Sequence, residues 1–112
     1  MGLVTFMTTA EITSIQRGII LVMAEWSGQA HWAYRKLVDF LAQRGAASET
    51  LTCIDVDQDP TVYELPEFSG KIHAYGEAAV VRDGRIVFVT VLGKNKAQIQ
   101  QRCAELWEFY EA

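Results

Sequence analysis

Six consecutive residues, Ile19-Ile20-Leu21-Val22-Met23-Ala24, carry no polar side chain. A strand with one wet face alternates apolar and polar residues. A run without that alternation fits a strand covered on both faces, at the centre of a layered α/β domain. The run leads through Glu25-Trp26-Ser27 into a helical pattern from about Gly28 to Arg44. There Ala30, Ala33 or Tyr34, Leu37 and Leu41 recur at helical spacing, and Gly45 closes the helix.

The remaining elements keep the same alternation. Val4 to Phe6 reads as a short first strand. Thr8-Thr9-Ala10-Glu11 fits a capping box, opening a helix expected to end near Arg17-Gly18 with Gly18 as its left-handed cap. Leu51 to Val56 is the next strand. Asp59-Pro60 opens a short helix toward Glu64, which Pro66 cuts off. Ala78–Arg82 and Arg85–Val91 are strands joined at Asp83-Gly84, residues that supply the positive φ angles of a tight hairpin. Asn95 to Tyr110 is a final helix with Ile99, Cys103, Leu106 and Tyr110 along one face. The order β-α-β-α-β-α-β-β-α predicts a mixed sheet covered on both faces.

With 112 residues the chain suits one domain, residues 1–112. Half of it is hydrophobic, 21% is charged and the formal net charge is −4. These values fit an ordinary globular domain. No Lys/Arg-rich run suggests a nucleic-acid surface, and no apolar stretch is long enough to cross a bilayer. No signal-peptide pattern opens the sequence, and position 6 is Phe6 where a myristoylation signal carries Ser or Thr. A cytoplasmic location is expected. The two cysteines, Cys53 and Cys103, read as small buried apolar side chains in a reducing compartment.

Three landmarks resemble the thioredoxin family. Ala24-Glu25-Trp26-x-Gly28 matches its A-E-W-x-G. Asp57-Gln58-Asp59-Pro60 falls where the family commonly has D-x-N-P, and Asp83-Gly84 is in the place of its hairpin. The resemblance spans about residues 4 to 110. It implies a thioredoxin-like three-layer sandwich, a central mixed β-sheet with helices on both faces. It also implies six altered positions. Ser27 and Ala30 stand where the family's W-C-G-P-C turn has its attacking and resolving cysteines. Leu21 replaces a buried aspartate, Cys53 a lysine that often pairs with it, Arg35 a helix-kinking proline and Gly76 the cis-proline. Leu21 and Cys53 look like an apolar replacement of a buried charge pair, a change often neutral or stabilising.

Other chemistry finds little support. Ser27 and His31 are one helical turn apart, the spacing of a Ser/His dyad, but serine at a helix start is also an ordinary N-cap. His31, His73 and Glu77 lack dense metal-ligand spacing. Asp55, Asp57 and Asp59 read as caps and loop residues. No metal or other cofactor is expected.

The expectation is a non-catalytic module that binds a protein or peptide in the groove corresponding to the family's substrate site. A second copy of the chain is one such partner; nucleic acid and membrane are not. The resemblance assigns Trp26, Ser27, Gly28, Gln29, Ala30, Trp32, Tyr75, Gly76 and Leu92 to that groove, with His73 and Ala74 beside them. Trp107, Phe109 and Tyr110 form a second aromatic cluster, read as core and packed helix end. The alternative is a thiol-based redox sensor using Cys53 or Cys103.

Overall fold

The computed structural model describes residues 5–69 and 74–112. Its sheet has four strands: β1 (Arg17–Met23), β2 (Leu51–Asp55), β3 (Glu77–Arg82) and β4 (Arg85–Val91). The spatial order is β2-β1-β3-β4. β1 pairs in parallel with β2 and antiparallel with β3, and β3 pairs antiparallel with β4, so the sheet is mixed. The apolar run thus forms one of the two inner strands, as its lack of alternation requires.

Strand alternation divides the core. Ile19, Leu21 and Met23 point to the face packed by α1 (Gly28–Gln43) and α2 (Ile99–Glu111), where Leu37, Phe40, Leu41, Cys103 and Leu106 close over them. Ile20, Val22 and Ala24 point to the opposite face. That face is covered by Ile12, Val62 and Phe68, carried on 3-10 turns and loops rather than on long helices. Each fully buried side chain of this size contributes about 1.5–3 kcal/mol through removal from water.

Two expectations at the N-terminal end change. The capping box forms between Thr8 and Glu11, but it opens a 3-10 helix, Thr9–Ser14, that stops well before Gly18. Gly18 lies buried within β1 and pairs with Val81. The apolar run extends the strand backward, and pairing with β3 prevails over a left-handed cap. Of the expected first strand, Val4 lies outside the described residues and Phe6 makes one isolated parallel bridge to Cys53. The bonds of Met7 N–H to the Cys53 carbonyl and of Cys53 N–H to the Thr5 carbonyl, both 2.9 Å, hold this segment along β2.

The other signals form close to their expected places. Gly45 comes after α1 at φ +69°, and Asp83 and Gly84 turn the hairpin at φ +53° and +76°. Asp59 caps the 3-10 helix Pro60–Glu64. Hydrogen bonds, first from Thr61 and then from Thr9, bring the Asp59 carboxyl from 3.8 down to about 2. The bond from Thr9 N–H, 2.6 Å long, joins the N-terminal 3-10 helix to the loop after β2. Among the described residues no helix is long and apolar enough to cross a membrane.

Candidate functional site

The β1–α1 turn is organised by Ser27. Its backbone is extended at φ −97° and ψ 116°, the usual N-cap geometry, and its hydroxyl accepts from Ala30 N–H at 3.2 Å. The same hydroxyl donates to the Ala74 carbonyl at 2.5 Å. Ser27 is therefore a buried tie between the turn and the loop ahead of β3. The His31 ring points elsewhere and donates from Nε2 to the Glu25 carbonyl at 2.7 Å. The Ser27–His31 spacing serves two separate local hydrogen bonds, and the two side chains do not pair.

The facing loop is held from beneath by Glu77, the first residue of β3 and wholly buried. One carboxyl oxygen accepts from the Tyr63 hydroxyl at 2.6 Å and from Ala74 N–H at 3.2 Å; the other accepts from Tyr75 N–H at 2.9 Å. Ala74 N–H also lies 3.0 Å from the Tyr63 oxygen. Burial, reinforced by the Glu77 bond, pushes the Tyr63 phenol above its ordinary range. A buried carboxyl is tolerated here because donors meet both of its oxygens.

The loop is closed on its other side by the segment after β4. Gly93 N–H donates to the Tyr75 carbonyl at 2.7 Å, and Leu92 N–H to the Gly76 carbonyl at 3.0 Å. Both glycines are required by contact. A Cβ on Gly93 would stand 2.5 Å from the Tyr75 carbonyl oxygen, and one on Gly76, at φ +76°, 2.5 Å from the Ala33 Cβ. The Tyr75–Gly76 peptide is trans.

The nine residues expected at the groove divide into two layers. Trp26 is 71% exposed and its indole N–H donates to Asp57 Oδ1 at 3.2 Å. Gly28 and Gln29 are exposed, and Trp32 and Tyr75 are half-buried. Ser27, Ala30, Gly76 and Leu92 are buried and present no side-chain surface, which corrects their assignment to the groove lining. Ala30 faces the sheet from the first turn of α1, and Leu92 packs into the helix-side core while its N–H bonds Gly76. Ala74 is buried as well, and His73 lies outside the described residues.

Solved structures of similar fold include thioredoxins. The chain matches Plasmodium falciparum thioredoxin with a TM-score of 0.65 at 21% identity, covering 92% of this chain and 98% of that one. It matches mitochondrial thioredoxin 3 of Saccharomyces cerevisiae, oxidised form, at 0.64 and 16%, covering 92% and 95%. It matches Fasciola hepatica thioredoxin at 0.65 and 14%, covering 91% and 98%. This chain has the thioredoxin fold. No family model matches the sequence, and neither does any curated protein.

On this thioredoxin fold both thiols lie away from the β1–α1 turn. Cys53 is in β2 and Cys103 in α2, both free and buried. Burial raises Cys53 from 9.0 to about 12 and Cys103 from 9.0 to about 11. Neither carries the depressed pKa of a reactive thiol. In native protein near neutral pH, a chromogenic disulfide reagent should label neither on the timescale of an exposed thiol, and both should react after denaturation. Fast labelling of one native thiol would overturn this.

Two features of the site are not evident from local sequence pattern. Glu77, by residue type a candidate metal ligand with His31 and His73, instead has its carboxyl taken up by Tyr63 and two backbone N–H groups. Among the described residues no three His, Cys, Asp or Glu side chains are placed to hold a metal. The available signal is one carboxylate directly before the apolar stretch Ala78–Val81, a position that demands a local partner. The second feature is the pair of cations at Trp32: Lys96 Nζ lies 5.1 Å and Lys36 Nζ 6.0 Å from its ring centroid. These lysines are far apart in sequence, and only the fold brings them together.

Proposed function

We propose that this chain is a non-catalytic binding module of thioredoxin fold, taking a protein or peptide segment on the surface formed by Trp26, Gly28, Gln29, Trp32 and Tyr75. One observation carries the reading: the turn that ends β1 offers no nucleophile. Its serine is buried and consumed by an N-cap bond and a bond to Ala74, while exposed and half-exposed aromatics surround it. Large rigid aromatics bury contact area at low entropic cost and dominate many interfaces. The sensor alternative is weaker, because both thiols are buried with raised pKa.

Two measurements test the proposal. Insulin reduction with a thiol donor should proceed at background rate, because nucleophilic attack on a disulfide needs a thiolate and Ser27 has no activating base. Turnover well above background by the unmodified chain would sink the non-catalytic reading. For binding, a displayed library of random peptides about a dozen residues long is selected on the immobilised chain. Selected peptides should bind Trp32→Ala or Tyr75→Ala about thirtyfold more weakly, the cost of roughly 2 kcal/mol typical of a central interface aromatic. Unfolding curves recorded in parallel establish that the variants are folded. Peptides that bind both variants normally would place the contact elsewhere, with the Trp107–Tyr110 end of α2 the next region to test.

A further inference from the structure

Gln29, Trp32 and Lys36 lie at i, i+3 and i+7 along α1, so they share a stripe of that helix. The segment after β4 runs beside this stripe. A Cβ on Gly93 would come within 3.2 Å of the Gln29 carbonyl oxygen, and Lys96 reaches the Trp32 ring. Lys94, exposed, stands in the same segment, and Gly93 bonds Tyr75. All three described lysines of a chain whose net charge is −4 thus belong to this stripe or to the segment beside it. Among the described residues neither Lys36 nor Lys96 is ion-paired with a carboxylate.

Two ammonium groups drawn to one indole repel each other. The negative ring face attracts each of them but does not neutralise either. An anionic group beside Trp32 relieves the repulsion, and the half-buried ring offers apolar contact next to it. We infer that the segment bound on this surface is an acidic peptide, carrying Asp or Glu carboxylates against Lys36, Lys94 and Lys96 and an apolar side chain against Trp32 and Tyr75. This rests on the binding-module reading and specifies the partner's chemistry. The alternative polyanions, nucleic acid and anionic membrane, are extended. Over lengths beyond about 10 Å they meet the negative charge of the remaining surface, whereas a short peptide can seat its carboxylates at the local lysines, away from Asp57 beside Trp26.

The test uses the full chain and the same displayed library, with Lys36→Glu/Lys96→Glu as the variant. Neither position supplies a hydrogen bond to the β1–α1 turn or to the Glu77 network. Selected peptides should be enriched in Asp and Glu, weaken as salt is raised, and lose about tenfold or more in affinity for the variant. Charge-reversed versions of the same peptides, with Lys in place of Asp and Glu, should bind the variant better than the unmodified chain. Neutral or basic selected peptides that still depend on Trp32 and Tyr75 would overturn this inference and leave the binding module standing. Selection of no peptide dependent on those aromatics would remove both. Single-stranded DNA or phosphatidylserine vesicles binding through Lys36 and Lys96 more tightly than the acidic peptides would also overturn it, in favour of that polyanion. Variant unfolding curves matching the unmodified chain establish that affinity, rather than folding, is being read.

Discussion

Glu77→Ala should lower the unfolding free energy by about 2–6 kcal/mol, because a lost partner costs a buried donor roughly 1–3 kcal/mol, and the Tyr63 hydroxyl and Tyr75 N–H both lose their Glu77 bond while Ala74 N–H keeps the Tyr63 oxygen. The Tyr63 hydroxyl and the N–H groups of Ala74 and Tyr75 all turn toward this one carboxyl. Alanine offers them nothing, and the site is too enclosed for the loss to be made good by bulk water. Glu77→Gln should be intermediate: its carbonyl retains one side, while its NH₂ meets an N–H or O–H donor on the other. Tyr63→Phe removes one donor to Glu77 and one acceptor of Ala74 N–H, which keeps its bond to Glu77, and should cost about 1–2 kcal/mol. Urea denaturation of the three variants checks the series. A loss below about 1 kcal/mol for Glu77→Ala would mean that the loop repacks without its anchor.

Leu21→Asp should be at least as damaging, on the order of 5 kcal/mol near neutral pH, combining a lost core leucine with an unpaired buried charge. Leu21 is fully buried beneath the α1 and α2 side of the sheet, and its cross-strand partner on β2 is Cys53, which offers no counter-charge. The pH dependence identifies the cause. Burial raises the new carboxyl's pKa in the folded state above the unfolded value of about 3.9. The folded state therefore takes up the proton more readily. Its relative stability is greatest below the unfolded pKa and is lost as pH rises through the folded one. The deficit should be smaller at pH 4 than at pH 7, by the difference that remains after subtracting the unmodified chain's own profile. Leu21→Met, which nearly conserves volume, should cost less than about 1.5 kcal/mol at any pH. An equal deficit for Leu21→Asp at both pH values would rule out a buried charge as the cause.

Much of the fold is legible in the sequence because its signals are local. The apolar run at Ile19–Ala24, the spacing from Ala30 to Leu41 and the Asp83-Gly84 turn each report on a few neighbouring residues, and each forms close to its expected place. Gly18 is ambiguous because a glycine after a short helical stretch has two uses. Pairing with Val81, distant in sequence from the helix signal, decides between them. The groove is less legible for a related reason. The family resemblance places Ser27, Ala30, Gly76 and Leu92 at the turn and its neighbours, but whether a side chain points outward depends on what packs over it. Ser27 is covered through Ala74, and Leu92 turns into the core while its backbone pairs with Gly76. The Glu77 anchor and the Trp32 lysines are long-range assemblies with no motif of their own.

Both main-chain polar groups of Tyr75 are already engaged, its N–H with Glu77 and its carbonyl with Gly93. A peptide lying across Tyr75 therefore gains no strand-like pairing from that residue, and strand pairing is what ordinarily fixes which end of a bound segment points which way. Contact there falls to side chains, and side-chain contacts depend on spacing more than on the direction of the backbone. Reversing the order of a bound sequence, so that its side chains keep their intervals while its amide bonds run the other way, should cost little at Tyr75. Discrimination at that point would then be a matter of composition and interval, open to change by substitution in the partner without any adjustment of this chain's backbone.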